Sequence, residues 1–397
     1  MFPLFRACPD FFRFWLSQAV SQVGDRVHSL ALIWLVYHWS ESALAVGMIL
    51  VATSLPGILV SPLAGVLCDR FSRRRIMIGA DLARFLVVGW LAWQSAGGAL
   101  GYPGLIAATV AVALASAFFN PAALAMIPGL VAREDLTRAN AASQLVAGMS
   151  AVAGPLFGSA LIALIGVPLA FAINAVSFLG SALFIALVRE PATGRAGKTG
   201  FLEELRAGRD ALRGAPLIGA LLGPVVVINF FFAAIPVVTP VLAESVFRSG
   251  ASGLGILMSC FGGGLFAGSL LLSIGRGRRE RSAALAGFAL IGLAFPVIAL
   301  SPWLSAAGLG LAAVGIGLSI VNITLITLFQ KLLDDATRGK IMALVTALAL
   351  SLQPVAYGVM GLITDALKPS GALLASGAVI LLVTLRIATL KELRELG

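Results

Sequence analysis

The sequence predicts an all-α integral membrane protein of twelve transmembrane helices, arranged as two pseudo-symmetric six-helix halves. Three observations support this prediction. Hydrophobic residues make up 59% of the 397 residues and charged residues only 12%, whereas soluble domains carry about 25% charged residues. Apolar runs recur at the length of about 20 residues that a spanning helix needs. The basic residues, finally, fall mainly in alternate loops.

Twelve apolar runs follow one another along the chain, separated by short polar or charged breaks. They cover residues 12–38, 43–68, 75–95, 104–127, 139–165, 167–188, 216–243, 252–275, 283–301, 304–330, 340–366 and 371–390. The first run is too long for the core of a signal peptide, and no small-residue cleavage site follows it. We therefore expect it to be retained.

The basic residues predict the orientation of the helices. With both termini in the cytoplasm, 24 of the 28 Lys and Arg residues lie in inner segments, and only Arg248 and Lys368 lie in outer loops. This is the positive-inside pattern of membrane proteins. It explains the formal net charge of +10 without a nucleic-acid partner. The scattered cysteines, Cys8, Cys68 and Cys260, predict neither a disulfide framework nor a metal site.

A long polar segment divides the chain. We predict an N-terminal half at residues 1–188, a cytoplasmic linker at 189–215 and a C-terminal half at 216–397. Thr-Arg pairs about 200 residues apart, at 137–138 and 337–338, open the fifth and eleventh predicted helices. Transporters built from two such halves bind their substrates near the bilayer midplane.

Polar side chains recur every three to four positions along the first predicted helix. They are Ser17, Gln18, Ser21, Gln22, Asp25, Arg26, His28 and Ser29. An ionisable group at the bilayer centre costs about 2.5–3.5 kcal/mol even on insertion scales. The stripe should therefore face protein or a water-filled cavity, and we predict that Gln18, Ser21, Gln22 and Arg26 line a substrate cavity.

The charged residues of the spans have two interpretations each. Asp25 is a candidate proton-coupling carboxylate, or it forms a salt bridge that holds helices together, for example with Arg84. His28, one turn further on, either relays that proton or packs in the interior. Asp81 and Arg84 lie one turn apart on the third predicted helix, where they most simply form a structural ion pair.

Isolated asparagines mark the fourth, seventh and tenth predicted helices. These helices would line the centre of a bundle of two halves, so Asn120, Asn229 and Asn322 are candidate cavity residues. The alternative for each asparagine is a hydrogen bond that joins two helices.

The loop after the second predicted helix contains Gly65, Asp69, Arg70, Arg73 and Arg74. Their spacing resembles the G-x-x-x-D-R-x-G-R-R signature of the major facilitator superfamily. Gly65 would permit close helix approach, and Asp69 would meet the positive end of a neighbouring helix. We interpret the motif as a conformational latch. It departs from the signature at Ser72, which stands where the family has a second glycine.

The fifth predicted helix contains Gly148, Gly154, Pro155 and Gly158. This stretch resembles the glycine-proline element of proton-coupled drug exporters, although Ser159 stands where a further glycine is usual. The interpretation is a helix-packing element, and ordinary membrane packing by small residues is the alternative.

Together with Gly24-Asp25 and Phe119-Asn120-Pro121, these motifs resemble the branch of the superfamily that holds macrolide-efflux proteins and the enterobactin exporter. The resemblance implies a proton-driven exporter of an amphipathic small molecule in the bacterial inner membrane. A related lysophospholipid transporter is the alternative. A membrane-embedded lipid enzyme is less favoured because the chain has only two histidines. No phosphate-binding loop for ATP is present, and we expect a monomer that needs no cofactor.

Overall fold

A computed structural model describes residues 2–190, 216–274, 280–333, 341–342, 344–348 and 351–389. All regular elements in these ranges are helices. In chain order they are α1 (Phe2–Ala7), α2 (Pro9–Ser40), α3 (Ala43–Arg70), α4 (Arg73–Ala96), α5 (Tyr102–Leu130), α6 (Leu136–Ala186), α7 (Pro216–Phe232), α8 (Ala234–Val241), α9 (Gly250–Ile274), α10 (Glu280–Ala299), α11 (Leu304–Leu332) and α12 (Gln353–Thr389). A 3₁₀ turn, Arg133–Asp135, precedes α6, and a π-helical turn, Leu242–Val246, follows α8.

Nine segments of the described chain are long and apolar enough to cross a membrane. Helix α2 is not among them because its polar stripe lowers its hydropathy, although its 32 residues are ample for a span. The all-helical membrane fold is thus confirmed.

Two of the nine segments contain a sharp break. Gly166 (φ 81°) divides α6 into two arms, and Lys368 (φ 62°) divides α12 in the same way. When the two arms of each broken segment are counted separately and α2 is added, the nine segments become twelve helices, the number that the sequence predicts. The junction between the tenth and eleventh predicted helices, residues 334–340, lies outside the described residues.

By their internal contacts the described residues form two compact units. The first comprises the described residues within 1–39 and 52–197, and the second those within 40–51 and 198–397. The first turns of α3 are therefore grouped with the second unit. The predicted linker lies outside the described residues from 191 to 215, so the predicted division into halves stays a prediction.

The first unit has an apolar core at the end that carries the motif Gly65–Arg74. Phe11 and Phe14 of α2 pack there with Met77 of α4 and Met126 of α5, and all four side chains are fully buried. This core packs the N-terminal part of α2 against α4 and α5. The polar stripe of α2 begins in the third turn of the same helix, at Ser17.

Candidate functional site

The polar stripe of α2 lines three adjoining cavities in the first unit, with volumes of about 370, 360 and 290 Å³. Asp25, Ser29 and Asn120 line both the first and the second cavity. Gln18, Gln22 and Asn120 line both the second and the third. The cavities thus form one groove along α2. From Gln18 to Leu32 the groove extends roughly 21 Å at 1.5 Å per residue.

Most of the residues predicted for a substrate cavity on α2 and α5 lie in this groove. Gln18, Ser21, Gln22, Arg26 and Asn120 all line the second cavity. The two other asparagines belong to the second unit, where Asn229 of α7 and Asn322 of α11 are exposed. The side chain of Asn229 donates to the Val225 carbonyl of its own helix at 2.9 Å.

Other helices contribute groove residues that sequence reasoning missed. Thr53 and Ser61 of α3, and Thr109 and Ser116 of α5, line the first cavity. The Thr109 hydroxyl donates to Leu105 O and the Ser116 hydroxyl to Val112 O, each at 2.8 Å. Each hydroxyl thus finds its hydrogen-bond acceptor in the backbone of its own helix, so it can occur in an apolar helix without a partner on another helix. They therefore gave no signal in the sequence.

Asp25 lies at the centre of the groove and is half-buried. The groups that act on its carboxylate are Arg84 of α4, the neighbouring Arg26, and Asn174 from the second arm of α6. Arg26 is exposed to the groove, where water screens its charge. Arg84 is buried and acts at low dielectric, so it is the stronger electrostatic partner.

Arg84 forms a buried ion pair with Asp81, one turn earlier on α4. Their side chains are 3% and 0% exposed. The guanidinium carbon of Arg84 lies 4.2 Å from the ring centre of Phe119 and 4.4 Å from that of Phe178. The guanidinium is therefore held between two aromatic faces, a stacking that arginine favours.

Arg84 is in direct contact with Asp81 and acts on Asp25 at longer range, from the lining of the same cavity. Asp25 contributes to the electrostatic environment of Asp81, and Arg84 contributes to both carboxylates. The inner cluster of Asp25, Asp81 and Arg84 carries a formal charge of minus one when both acids are ionised. A single added proton makes it neutral. Asp25 faces the groove and can exchange a proton with water there, whereas Asp81 is sealed from solvent.

His28 lies one turn beyond Asp25 and borders the first cavity. Its side chain is buried, and its ring packs against Phe171 with a centroid distance of 5.1 Å. His28 Nδ1 has no hydrogen-bond partner among the described residues. The structure therefore gives His28 an aromatic contact and a position beside the cavity, without a defined proton acceptor.

Helix α2 is packed closely against both arms of α6. A methyl group added at Gly154 would overlap Cβ of Arg26 and lie 2.9 Å from its Cγ. One added at Gly158 would lie 3.2 Å from Val27 Cα. Gly24, on the opposite side of α2, packs against Asn174 and Ser177 of the second arm.

The remaining two residues of the proposed packing element are placed differently. Pro155 is buried beside Gly154. Gly148 is one turn and a half earlier, and a methyl group added there would meet no described atom within 4 Å. In the first unit, the close approach to α2 is therefore made by Gly154 and Gly158.

The motif after α3 connects the start of α4 to α5 and to the C-terminal end of α6. Arg73 donates to Ala125 O of α5 at 2.7 Å. Arg74 donates to the Ile185 and Ala186 carbonyls at the end of α6. Helix C-termini carry unpaired carbonyls and a partial negative charge, so arginines stabilise them. Arg70 is exposed, a methyl group at Gly65 would meet no described atom within 4 Å, and the side chain of Asp69 lies outside the described residues.

Ser72 provides what the glycine of the family signature would not. It has φ −56° and is the N-cap of α4, where its hydroxyl oxygen accepts from Arg75 N at 3.2 Å. The same hydroxyl donates to Glu190 Oε2 at 2.6 Å. The serine therefore fits the turn and stabilises the start of α4.

In the described ranges, no group of three or more His, Cys, Asp or Glu side chains is placed to hold a metal ion. The chemistry of the groove is that of hydrogen-bonding amides and hydroxyls, one exposed arginine and a half-buried carboxylate. Such a surface can bind a solute and exchange a proton.

Comparisons with known proteins agree with this geometry. The sequence model of the family named Major Facilitator Superfamily matches residues 14–356 of this chain. Macrolide efflux protein A of Streptococcus pyogenes is 24% identical over 395 residues, which cover 97% of each chain. The multidrug efflux pump Tap of Mycobacterium tuberculosis is 32% identical over 185 residues, covering 44% of this chain and 43% of the pump. A bacterial homologue of the iron transporter ferroportin has the same fold, with a TM-score of 0.75, 15% identity and coverage of 96% and 99%.

Proposed function

This chain belongs to the major facilitator superfamily and is a membrane transporter, not an enzyme; from that premise we propose that it is a proton-coupled exporter of an amphipathic small molecule. It works by alternating access of two six-helix halves, joined by the segment 189–215. The membrane is a bacterial inner membrane with both termini in the cytoplasm. The relatives that are named for macrolide and multidrug efflux support the direction and the substrate class.

The observation that carries the proposal is the position of Asp25 on the groove beside the buried ion pair of Arg84 with Asp81, which leaves Arg84 no second charge for Asp25. An unbalanced charge in a low-dielectric interior is costly, and a proton on Asp25 removes it. Because Asp25 also borders the substrate groove, a change in its charge alters the environment of a bound solute directly. This joins proton binding to substrate binding at one place.

The groove assigns a role to each of its predicted residues. Gln18, Gln22 and Asn120 offer amide donors and acceptors along one wall, and Ser21 and Arg26 add a hydroxyl and a cation. Apolar side chains such as Leu32 and Val112 line the first cavity. An amphipathic solute has polar groups for the first set and apolar surface for the second. In this proposal Asp69, Arg70, Arg73 and Arg74 form the conformational latch.

Transport in proteoliposomes tests the coupling. The protein is reconstituted with a panel of fluorescent drugs and labelled lysophospholipids, with and without an inward proton gradient. We expect gradient-driven drug transport by the unmodified protein. In Asp25→Asn the gradient no longer drives drug efflux, while exchange of labelled for unlabelled drug continues, because the groove is still formed.

Asp10→Asn is the matched control. Asp10 is a carboxylate on the same helix but does not line the groove. It forms an ion pair with Arg13, with 2.8 Å between the two side chains. This variant should transport like the unmodified protein. Gradient-driven efflux by Asp25→Asn at the normal rate would refute the coupling role. Lysophospholipid movement that needs no gradient would replace the proposal with a lipid transporter.

A further inference from the structure

A carboxylate of α12 receives three hydrogen bonds from the beginning of α3. Ala43 N donates to Asp365 Oδ1 at 2.7 Å, and Leu44 N donates to Oδ2 at 3.0 Å. The Ser42 hydroxyl donates to Oδ2 at 2.7 Å. The first N–H groups of a helix have no acceptors in their own helix, and a negative charge stabilises that end. Asp365 therefore acts as the N-terminal cap of a helix more than 300 residues away in the sequence.

The two helices touch through their backbones at this contact. A methyl group added at Gly361 of α12 would lie 2.7 Å from Leu44 Cα. One added at Gly47 of α3 would overlap the carbonyl of Tyr357. Neither position has room for a side chain. The two glycines thus allow the approach that brings Asp365 within hydrogen-bonding distance of α3.

This contact explains why residues 40–51 are grouped with the second unit while the rest of α3 is grouped with the first. In the transport cycle proposed above, α3 belongs to the N-terminal half and α12 to the C-terminal half, so a contact between their ends must open when the halves move apart there. Asp365 and Leu362 near it are exposed. The bonds from Ser42 and Leu44 are exposed, and hydrogen bonds that water can reach are replaced by bonds to water when they open.

We propose that Asp365 is a releasable latch, which holds the start of α3 against α12 and opens once in each transport cycle. The inference rests on the transport by alternating access proposed above. It places the latch at the end of α3 opposite to the motif Gly65–Arg74. It also gives a function to a carboxylate that neither the groove nor the family signature uses.

Cysteine labelling measures the latch without substrate or proton gradient. In a background with Cys8, Cys68 and Cys260 replaced by serine, Ser116→Cys places a reporter in the first cavity. A membrane-impermeant maleimide is then applied from the side of the membrane that carries Ser42. We expect Asp365→Ala to raise the labelling rate on the order of tenfold, the effect of losing a few hydrogen bonds to a charged group. Ser42→Ala, which removes one of the bonds, should raise it less.

Glu41→Gln is the matched control because it removes an exposed negative charge beside the latch without touching Asp365. Its labelling rate should equal that of the background protein. An unchanged rate in both Asp365→Ala and Ser42→Ala would overturn the proposal, as would an equal rise in Glu41→Gln. Because this readout needs no coupling, it can fail or succeed independently of the role of Asp25.

A cross-link tests whether the contact must open. With Ser42→Cys and Asp365→Cys in the same cysteine-free background, oxidation should stop drug transport, and a reductant should restore it. Each single variant should be insensitive to the oxidant. Full transport by the cross-linked protein would show that the contact stays closed throughout the cycle, and the latch would be excluded.

Discussion

At the scale of residues, the interior of the first unit depends on Arg84. This guanidinium neutralises Asp81, acts on Asp25 and separates two phenylalanine rings. The sequence predicted the pairing of Asp81 with Arg84 from their spacing of one helical turn. It also offered Arg84 as a possible partner of Asp25, and the structure places both residues at the second cavity.

We expect Arg84→Ala to destabilise the protein strongly. The substitution leaves Asp81 buried without its cation, and removal of one partner of a buried pair costs about 3–5 kcal/mol. Thermal unfolding in detergent should show a marked fall in Tm. Arg13→Ala removes an arginine whose pair with Asp10 is partly exposed, so its Tm should change little. Equal Tm values for the two variants would mean that Arg84 is not a structural centre.

His28→Phe separates the two interpretations of this histidine. Phenylalanine keeps the ring contact with Phe171 and abolishes any transfer of protons through the side chain. Because the ring is buried and Nδ1 has no described partner, we expect proton-driven transport close to normal. His28→Ala removes the ring as well and should lower stability. Loss of coupling in His28→Phe, with normal folding, would establish the relay instead.

At the scale of elements, α2 is held between the two arms of α6 by small residues on both sides. Gly154 and Gly148 offer a matched pair on one helix. Gly154→Leu would drive a side chain into Arg26, whereas the space next to Gly148 is open. We expect Gly154→Leu to reduce folded protein and transport, and Gly148→Leu to be tolerated. Size-exclusion profiles and transport rates of both variants give the comparison, and similar behaviour would contradict it.

Substitutions of Ser72, in the turn between α3 and α4, should have a smaller effect on stability. Ser72→Ala removes an N-cap, which costs about 1 kcal/mol, whereas Ser72→Gly costs only a few tenths. We therefore expect Tm to fall further for alanine than for the glycine of the family signature. The opposite order would show that backbone freedom, rather than capping, decides the residue at this turn. The sequence indicated a departure from the signature here, but the capping bond depends on where α4 begins.

At the scale of the whole molecule, the orientation in the membrane is a prediction from charge alone. In a background without native cysteines, Glu41→Cys should react with an impermeant maleimide added to intact cells. Arg75→Cys should react only after the membrane is permeabilised. Glu41 lies just before α3, and Arg75 lies in the first turn of α4, beyond the other end of α3. Both side chains are exposed, so a difference in burial does not bias the comparison. The reverse pattern would invert the topology.

The fold could be predicted from sequence because the bilayer leaves few solutions for a chain of this composition. The first helix was also predictable in its role, since its polar stripe excludes lipid contact. Asn120 of α5 was predicted as a cavity residue and lines the groove. The hydroxyl residues of α3 and α5 were not predictable, because side chains such as Thr109 and Ser116 satisfy their hydroxyls locally. Asp365 was missed for a related reason: two of its three donors are backbone N–H groups, which leave no mark in the sequence.

The contact of Gly154 with Arg26 has a consequence for recognition. A free arginine side chain loses up to about 2 kcal/mol of rotamer entropy when it is immobilised. The Cβ and Cγ atoms of Arg26 already lie against Gly154, so its inner torsions are restricted before anything binds. An acidic group of a solute would therefore order only the outer part of this side chain, and the groove is preorganised for an anion at that point.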